Sequence, residues 1–438
     1  MTEPEHQITG HTTGPRAWIT LAILISASIL SFIDRQVLSF MVAPIKADLG
    51  LSDIQISLLQ GVAFAAFYAV AAIPIGALMD RTNRVRLLAL GITLWSVMTA
   101  AGGFAQNFVH LFAARVGVGV GEATLGPAAH SMIADLFPRH RLPFAMSVYA
   151  LGVAVGVGIG YAAGGVLVAH FVAAGPLNLA VLGLIKPWQV VFLLVGLPGL
   201  GVALLIRLVA HDPPRRQTSQ AHDTSDVTGF LRAHWRVLVP LVAAICCFTA
   251  TSFATLSWAP ELLRRQWHLP ADRAGLLLGG LMVLGPLPGG LACGAIAERL
   301  TRRGDPAGGP LVMAIAALVA SPFIALACVS HVASTALGAM VVPMLVAQCY
   351  VGLAPAAVQG LTPPAMRARI AALYLLITSL FGMSVGPFMV AWITDRVLAD
   401  ESRLGLALGI TAAGFNFMGA ILMFCARPAY RRAVSRAH

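Results

Sequence analysis

GALMDRTNRVR, residues 76–86, closes one apolar stretch of the chain, and GAIAERLTRRGD, residues 294–305, closes another. Gly76, Asp80, Arg81 and Arg84 of the first stretch are answered by Gly294, Glu298, Arg299 and Arg302 of the second at the same spacing. A second correspondence follows. Arg141, Ala145, Gly156 and Gly160 are matched, again at equal spacing, by Arg367, Ala371, Gly382 and Gly386. The chain is therefore read as two halves built on one plan.

Around these motifs the composition leaves little choice of solvent. Of the 438 residues 58% are apolar and only 11% are Asp, Glu, Lys or Arg, against about 25% charged in a soluble domain. Crossing a bilayer takes about 20 apolar residues. Stretches of that kind run over 17–39, 56–79, 87–105, 109–132, 143–170 and 188–210, then over 237–260, 273–297, 311–330, 333–357, 368–393 and 404–426. The fold class expected is an all-α membrane protein of twelve transmembrane helices in two six-helix bundles, because parallel repeats of six spans build two-domain rocking transporters. The bundles are expected over 17–210 and 237–426, with tails at 1–16 and 427–438. The polar stretch 211–236, which contains Pro213, Pro214, Asp223 and Asp226, reads as a solvated linker.

A net charge of +11 suggests nucleic acid in a soluble protein, so placement has to decide. Twenty arginines, among them Arg16, Arg81, Arg139, Arg215, Arg299 and Arg432, fall on the side of the termini, and only Lys46, Lys186, Arg264, Arg265, Arg273, Arg396 and Arg403 on the other. This is the positive-inside pattern, which makes both termini cytoplasmic. No nucleic-acid partner is expected, since the charge is split among short loops. The six cysteines all lie in spans of the second half, where they read as packing residues; no metal-ligand spacing occurs and no cofactor is expected. The first residues lack a cleavable-signal pattern, so the first span is expected to be retained.

GALMDRTNRVR resembles the loop motif of the major facilitator superfamily, with Asp80 and Arg81 at its signature positions. LFAARVGVGVGEA, residues 111–123, resembles the family's fourth-helix motif, with Arg115 and Gly119 matching and Val118 where glutamine is common. Gly152, Gly156, Gly160 and Gly164 resemble the antiporter motif, but Tyr161 stands where that motif has proline, so the motif alone does not specify antiport. Within the superfamily, FIDRQ (residues 32–36) and GVGEATLGP (residues 119–127) are similar to the spinster branch. That likeness spans the first half and is weaker in the second. It implies proton-dependent movement of lysophospholipids or sphingoid lipids. The protein is expected in a bacterial inner membrane, as a monomer.

Asp34, Arg35, Arg115 and Glu122 are the ionisable residues well inside the expected spans. Each costs roughly 2.5–3.5 kcal/mol at mid-bilayer on the most lenient scale, so each should face a cavity or a partner. With a rise of 1.5 Å per residue, Asp34 and Arg115 both lie ~9 Å below the outer surface and can meet, while Glu122 sits two turns deeper, ~10 Å on from Arg115. Asp34 and Glu122 are the expected proton-binding carboxylates, with Arg115 and Arg35 as charge partners. Desolvation favours the protonated acid and a nearby guanidinium the charged one, so a movement that alters the spacing moves the proton affinity, and protonation biases the movement in return. A static buried salt bridge that fixes helix packing is the competing reading. Arg35 has the least defined role of the four.

Gly76, Asp80, Arg81 and Arg84, with Glu298, Arg299 and Arg302 as mirror images, are expected to act as an inner-side latch, Asp80 pairing with a basic residue or helix N-terminus of the other half. Arg81 and Arg84 can equally anchor the loop to anionic membrane lipid. The second half offers only polar cavity candidates, Thr249, Ser252, Gln348, Gln359, Tyr374 and Asn416. A cavity charged on one wall and apolar on the other suits an amphipathic small molecule or lipid; symport of small organic anions and drug:proton antiport are the alternatives. No HExxH or GxSxG motif is present, so no enzyme is expected, and the glycines at 117, 119 and 121 lack the preceding strand of a nucleotide loop.

Overall fold

Each expected apolar stretch overlaps one helix in a computed structural model of the chain, which describes residues 15–138, 140–179, 183–214, 226–347, 349–363 and 366–437. Among the described residues twelve helices are long and apolar enough to cross a membrane. In chain order they are α1 Pro15–Phe40, α2 Asp53–Arg81, α3 Arg84–Gly102, α4 Phe108–Leu136, α5 Leu142–Ala174 and α6 Pro187–Val209, then α7 Val227–Trp267, α8 Ala271–Arg302, α9 Gly308–Val329, α10 Ala333–Leu361, α11 Arg369–Leu398 and α12 Glu401–Ser435. The all-α, twelve-helix reading therefore holds. The face on which α1 begins is called basal here, and the opposite face distal.

Local chemistry explains the ends. Ser52 and Gln55 form a capping box at α2, and Asn83 and Asn107 cap α3 and α4 by accepting from Arg86 N–H at 2.9 Å and His110 N–H at 3.0 Å; short polar side chains satisfy the free donors of a first turn. At two expected boundaries the helices run on past the apolar stretch. The last ten residues of the stretch read as linker are the first turns of α7, because Asp226 caps that helix through Gly229 N–H at 2.8 Å and Phe230 gives it a buried face. The stretch read as the C-terminal tail continues the last helix to Ala437, where Arg427 and Arg431 both reach Asp305 in the α8–α9 loop. Burial works against charge on Asp305, but these two arginines and the Ala307 N–H outweigh it and hold the carboxyl below its usual range. Residues 1–14 and 215–225 lie outside the described residues, as do Arg139 and Gln348.

Large apolar side chains such as Val70, Ile73, Leu90, Leu208 and Leu291 point outward. Lipid solvates them as well as a core would, so contact between helices has to come from small residues and polar links. Gly152, Gly156, Gly160 and Gly164 lay α5 against Ile25, Ile29, Phe32 and Val37 of α1. The next face of the same helix, Gly158 and Gly165, meets Gly275, Gly279 and the Ala271 carbonyl of α8, so near that an added Cβ would overlap the facing backbone. This seam joins the two bundles.

The apolar cores report the shape. One cluster includes Val37, Ile45 and Tyr161 from the first half together with Trp258, Leu278 and Leu404 from the second. Nearer the basal face each half has its own, around Leu88, Met132 and Ile206 in the first and around Leu241, Met313 and Tyr430 in the second. The bundles are thus joined distally and separated basally. Between α5 and α6 the distal surface carries a two-stranded antiparallel hairpin, β1 Leu177–Leu179 and β2 Gly183–Ile185.

Candidate functional site

Ser31 and Arg35 stand one turn apart on α1 and therefore share a face. Both reach the same oxygen of Glu122 on α4. Ser31 Oγ donates to Glu122 Oε2 at 2.6 Å and Arg35 Nε donates at 2.7 Å, with Arg35 Nη2 completing a fork. The other oxygen, Oε1, is buried with no hydrogen-bond partner among the described residues. Asp34, on the adjacent face, has a separate set: Arg115 Nη1 lies 3.3 Å from its Oδ1, and the Thr99 hydroxyl of α3 donates to Oδ2. Four charges thus form two pairs, Asp34 with Arg115 and Glu122 with Arg35, and the second is the partner that sequence reading left undefined.

One ring joins the pairs. Arg35 lies over Phe64 of α2 at 4.4 Å from the ring centroid and Arg115 over it at 5.6 Å, so a single aromatic ring stabilises two guanidiniums. Arg35, Arg115, Phe64, Gln36 and Gln60 line a cavity whose opposite wall is Phe253, Leu256 and Met383 of the second bundle. It holds about 470 Å³ of empty space. The charged wall comes from one half, and the other half gives a wall that is apolar apart from Ser257.

A second, larger cavity of about 1070 Å³ empty space lies within the second bundle, between α7, α8, α9, α10 and α12. Its lining includes Met282, Met313, Met340 and Met344, relieved by Thr251, Ser252, Thr255, Tyr350 and Asn416. Leu256 borders both cavities. Of the expected cavity residues, Ser252 and Asn416 line this space, whereas Thr249 and Tyr374 do not. The Thr249 hydroxyl bonds the carbonyls of Cys246 at 2.9 Å and Thr378 at 3.2 Å, and Tyr374 is buried in the second bundle's own core. Thr251 and Thr255 were missed, although Thr255 sits one turn on from both Thr251 and Ser252, a spacing that would have pointed to it.

Sequence reading also missed the distal closure, because its acids fall at span ends and its bases were counted only as loop charge. Asp53, at the start of α2, accepts from both Nη atoms of Arg265 on α7 at 2.8 Å each. Arg265 Nε also binds Glu261 at 2.6 Å, and Lys46 joins Asp53 to Glu401. The carboxylate of Asp395, in a π-helical turn ending α11, accepts from the Ile54 N–H at 2.8 Å, capping α2 across the interface. Tyr161 donates to the Leu256 carbonyl of α7. That carbonyl needs an outside donor, since Pro260 four residues on has no N–H to give it.

The basal motifs are open in this conformation. Asp80 and Arg81 are exposed, Gly76 is half-buried, and Glu298 and Arg302 pair with each other on the surface beside the exposed Arg299. Among the described residues no ion pair joins Asp80 to the other half. Arg84 departs from expectation: it is buried, with Nε donating to Asp212 at 2.6 Å and Nη1 to Ser131 at 2.8 Å and to Asp135. It neither faces the opposite bundle nor reaches lipid, because two carboxylates at the ends of its own bundle satisfy its charge.

The family model described as Major Facilitator Superfamily matches residues 24–387. An MFS-type efflux pump of Mycolicibacterium smegmatis is 30% identical over 431 residues, covering 96% of this chain and 95% of the relative. Protein spinster homolog 1 of Homo sapiens is 28% identical over 418 residues, covering 89% of this chain and 75% of the relative. The crystal structure of a bacterial homologue of the human lysosomal transporter spinster, in an inward-facing and unoccupied conformation, superposes with a TM-score of 0.78 at 26% identity, over 96% of this chain and 97% of that one. The chain therefore belongs to the major facilitator superfamily, as a membrane transporter of its spinster branch.

Proposed function

We propose that the chain is a proton-coupled secondary transporter that moves an amphipathic, lipid-like substrate, a lysophospholipid or a sphingoid lipid, by rocker-switch alternating access. The observation that carries this reading is the juxtaposition at Leu256: a small cavity with Arg35 and Arg115 on its wall adjoins a larger one lined by methionines. A guanidinium pair suits a phosphate or carboxylate head, and flexible thioethers suit an acyl chain of variable shape. Glu122 supports the coupling. It is buried, has one oxygen without a hydrogen-bond partner among the described residues, and shares Arg35 with the cavity, so a proton on Glu122 frees Arg35 for an anionic head. Asp34 and Arg115 act as the second such pair.

On this reading the basal face is cytoplasmic, in a bacterial inner membrane, and the conformation is inward-open. Asp80 then latches the basal ends when the distal face opens. Asp80→Ala should shift the population toward inward-open, read as longer distances between spin labels on basal α2 and α11; unchanged distances leave Asp80 without a gating role.

The substrate class is tested by thermal shift at two pH values with lysophospholipids, sphingoid bases, cationic drugs and organic acids. A ligand at about 100 times its Kd stabilises by roughly 2.7 kcal/mol. Lysophospholipids, whose head carries a phosphate, should stabilise most, and more strongly when Glu122 is protonated; a cationic sphingoid base should stabilise more when Glu122 is charged. The efflux-pump relative favours drug:proton antiport as a second reading, and stabilisation by drugs alone would replace the lipid assignment with it. Stabilisation by organic acids alone would point to anion symport.

A further inference from the structure

The Glu122 carboxyl is sealed from solvent by its own neighbours, so a proton that binds there needs a route, and a file of hydroxyl groups leads from it toward the basal face. Ser31 Oγ lies 2.6 Å from Glu122 Oε2. Ser28 is one turn further toward the basal face on α1, and i,i+3 neighbours stand ~5 Å apart, a gap that one water molecule spans. Ser28 Oγ lies 3.0 Å from the Tyr149 hydroxyl of α5. The Tyr149 ring packs edge-on against His130 of α4, with centroids 5.6 Å apart. His130 is exposed, near the basal end of its helix. Glu122, Gly126 and His130 follow one another at four-residue spacing and so share a face of α4. Thus α1, α4 and α5 bring the two ends of the file together.

We propose that Ser31, Ser28, Tyr149 and His130 form the path by which the proton passes between Glu122 and the basal aqueous face; this rests on Glu122 being the proton-binding site. The donor pattern fits a relay. Ser28 has one proton and two acceptors within 3.0 Å, the Leu24 carbonyl and the Tyr149 oxygen. When it serves Leu24, Tyr149 donates to Ser28; when it serves Tyr149, the chain has the opposite polarity. His130 Nδ1 lies 2.8 Å from the Gly126 carbonyl, which can only accept, so Nδ1 carries the hydrogen and Nε2 keeps a lone pair. A proton leaving Glu122 is taken up by the first hydroxyl as that group gives up its own to the next. Each hydroxyl ends neutral; His130, beside the Tyr149 ring at the exposed end of the file, receives the last proton on Nε2 by way of basal water and releases it to the same solvent.

Other titratable groups face this path without belonging to it. Arg35 and Asp34 of α1 and Tyr68 of α2 stand by Glu122, Arg115 lies two turns away on α4, and the Tyr68 hydroxyl adjoins Gly126. The wall of the second bundle beside Arg35 carries Phe253, Leu256, Ser257 and Met383, none of which titrates.

The test uses protons as the probe. The reconstituted full chain receives a pH jump from a caged proton while time-resolved infrared absorption follows the carboxyl band that is lost in Glu122→Gln. In Tyr149→Phe and Ser28→Ala the band should keep its equilibrium midpoint but form about a hundredfold more slowly, the lower end of what a positioned proton-transfer group contributes. His130→Gln should be slow too and recover on addition of imidazole, which a packing role would not produce. Wild-type rates in Tyr149→Phe and Ser28→Ala, or a shifted midpoint with unchanged rate, overturn the path and leave Glu122 as the proton site. If Glu122→Gln removes no band, the coupling reading fails and the path falls with it.

Discussion

Glu122→Gln is expected to make transport indifferent to the proton gradient. Glutamine keeps the volume and one carbonyl oxygen of the side chain but has no proton to gain or lose, so the variant is held in the state that protonation produces. Arg35 then loses the carboxylate it pairs with, since Asp34 is engaged by Arg115 and Thr99, and becomes available to an anionic headgroup at all pH values. In proteoliposomes loaded with the ligand that gives the largest thermal shift, the pH-driven rate should fall to that of empty liposomes. Exchange of labelled for unlabelled ligand, which needs no net proton movement, should persist. Asp34→Asn should act in the same direction, because it frees Arg115 instead. Wild-type pH dependence in both variants would reduce the four charges to helix-packing salt bridges.

Arg265→Ala should open the distal face. In the closed form Arg265 is nearly buried and neutralises Asp53 of the first bundle and Glu261 of its own helix. Removing one partner of a buried ion pair costs about 3–5 kcal/mol because the other charge is left without compensation. Lys46 still reaches Asp53 and Arg264 still reaches Glu261, which sets the expected loss near the lower value. At 1.4 kcal/mol per factor of ten, about 3 kcal/mol shifts the ratio of closed to open by roughly 100-fold. Opening rehydrates Asp53, so the loss falls on the closed form alone. Spin labels on the distal ends of α2 and α11 should move apart, and added salt should change little in wild type because Asp53, Glu261 and Arg265 are shielded from solvent. Unchanged distal distances would assign closure to the apolar cluster and the α5–α8 glycine seam instead.

Different parts of this molecule were legible to different degrees. The spans were readable because hydropathy is a local property summed over one helix, and their ends were not, since capping by Asp226 and the pairing of Asp305 with Arg427 extend helices beyond their apolar stretches. Depth arithmetic put Asp34 and Arg115 at one level, and they lie 3.3 Å apart. It could not assign Arg35, because adjacency to Asp34 says only that the two point different ways, and Glu122 becomes its partner only once α4 is packed beside α1. Arg84 shows the opposite failure. Its motif position suggested an exposed role, while Asp135 and Asp212, distant in sequence, converge on it in the fold.

By itself the amino-acid order determined that this chain lives in a bilayer as two six-helix halves, and that its buried charge belongs to the first half, because each of these follows from transfer free energies and periodicity within short segments. The tertiary structure alone decided which charges pair, which face is shut and where the cavities lie. Those outcomes depend on distances between segments far apart in sequence, where a shift of a few ångströms decides whether a buried carboxylate meets a guanidinium, a hydroxyl or nothing at all.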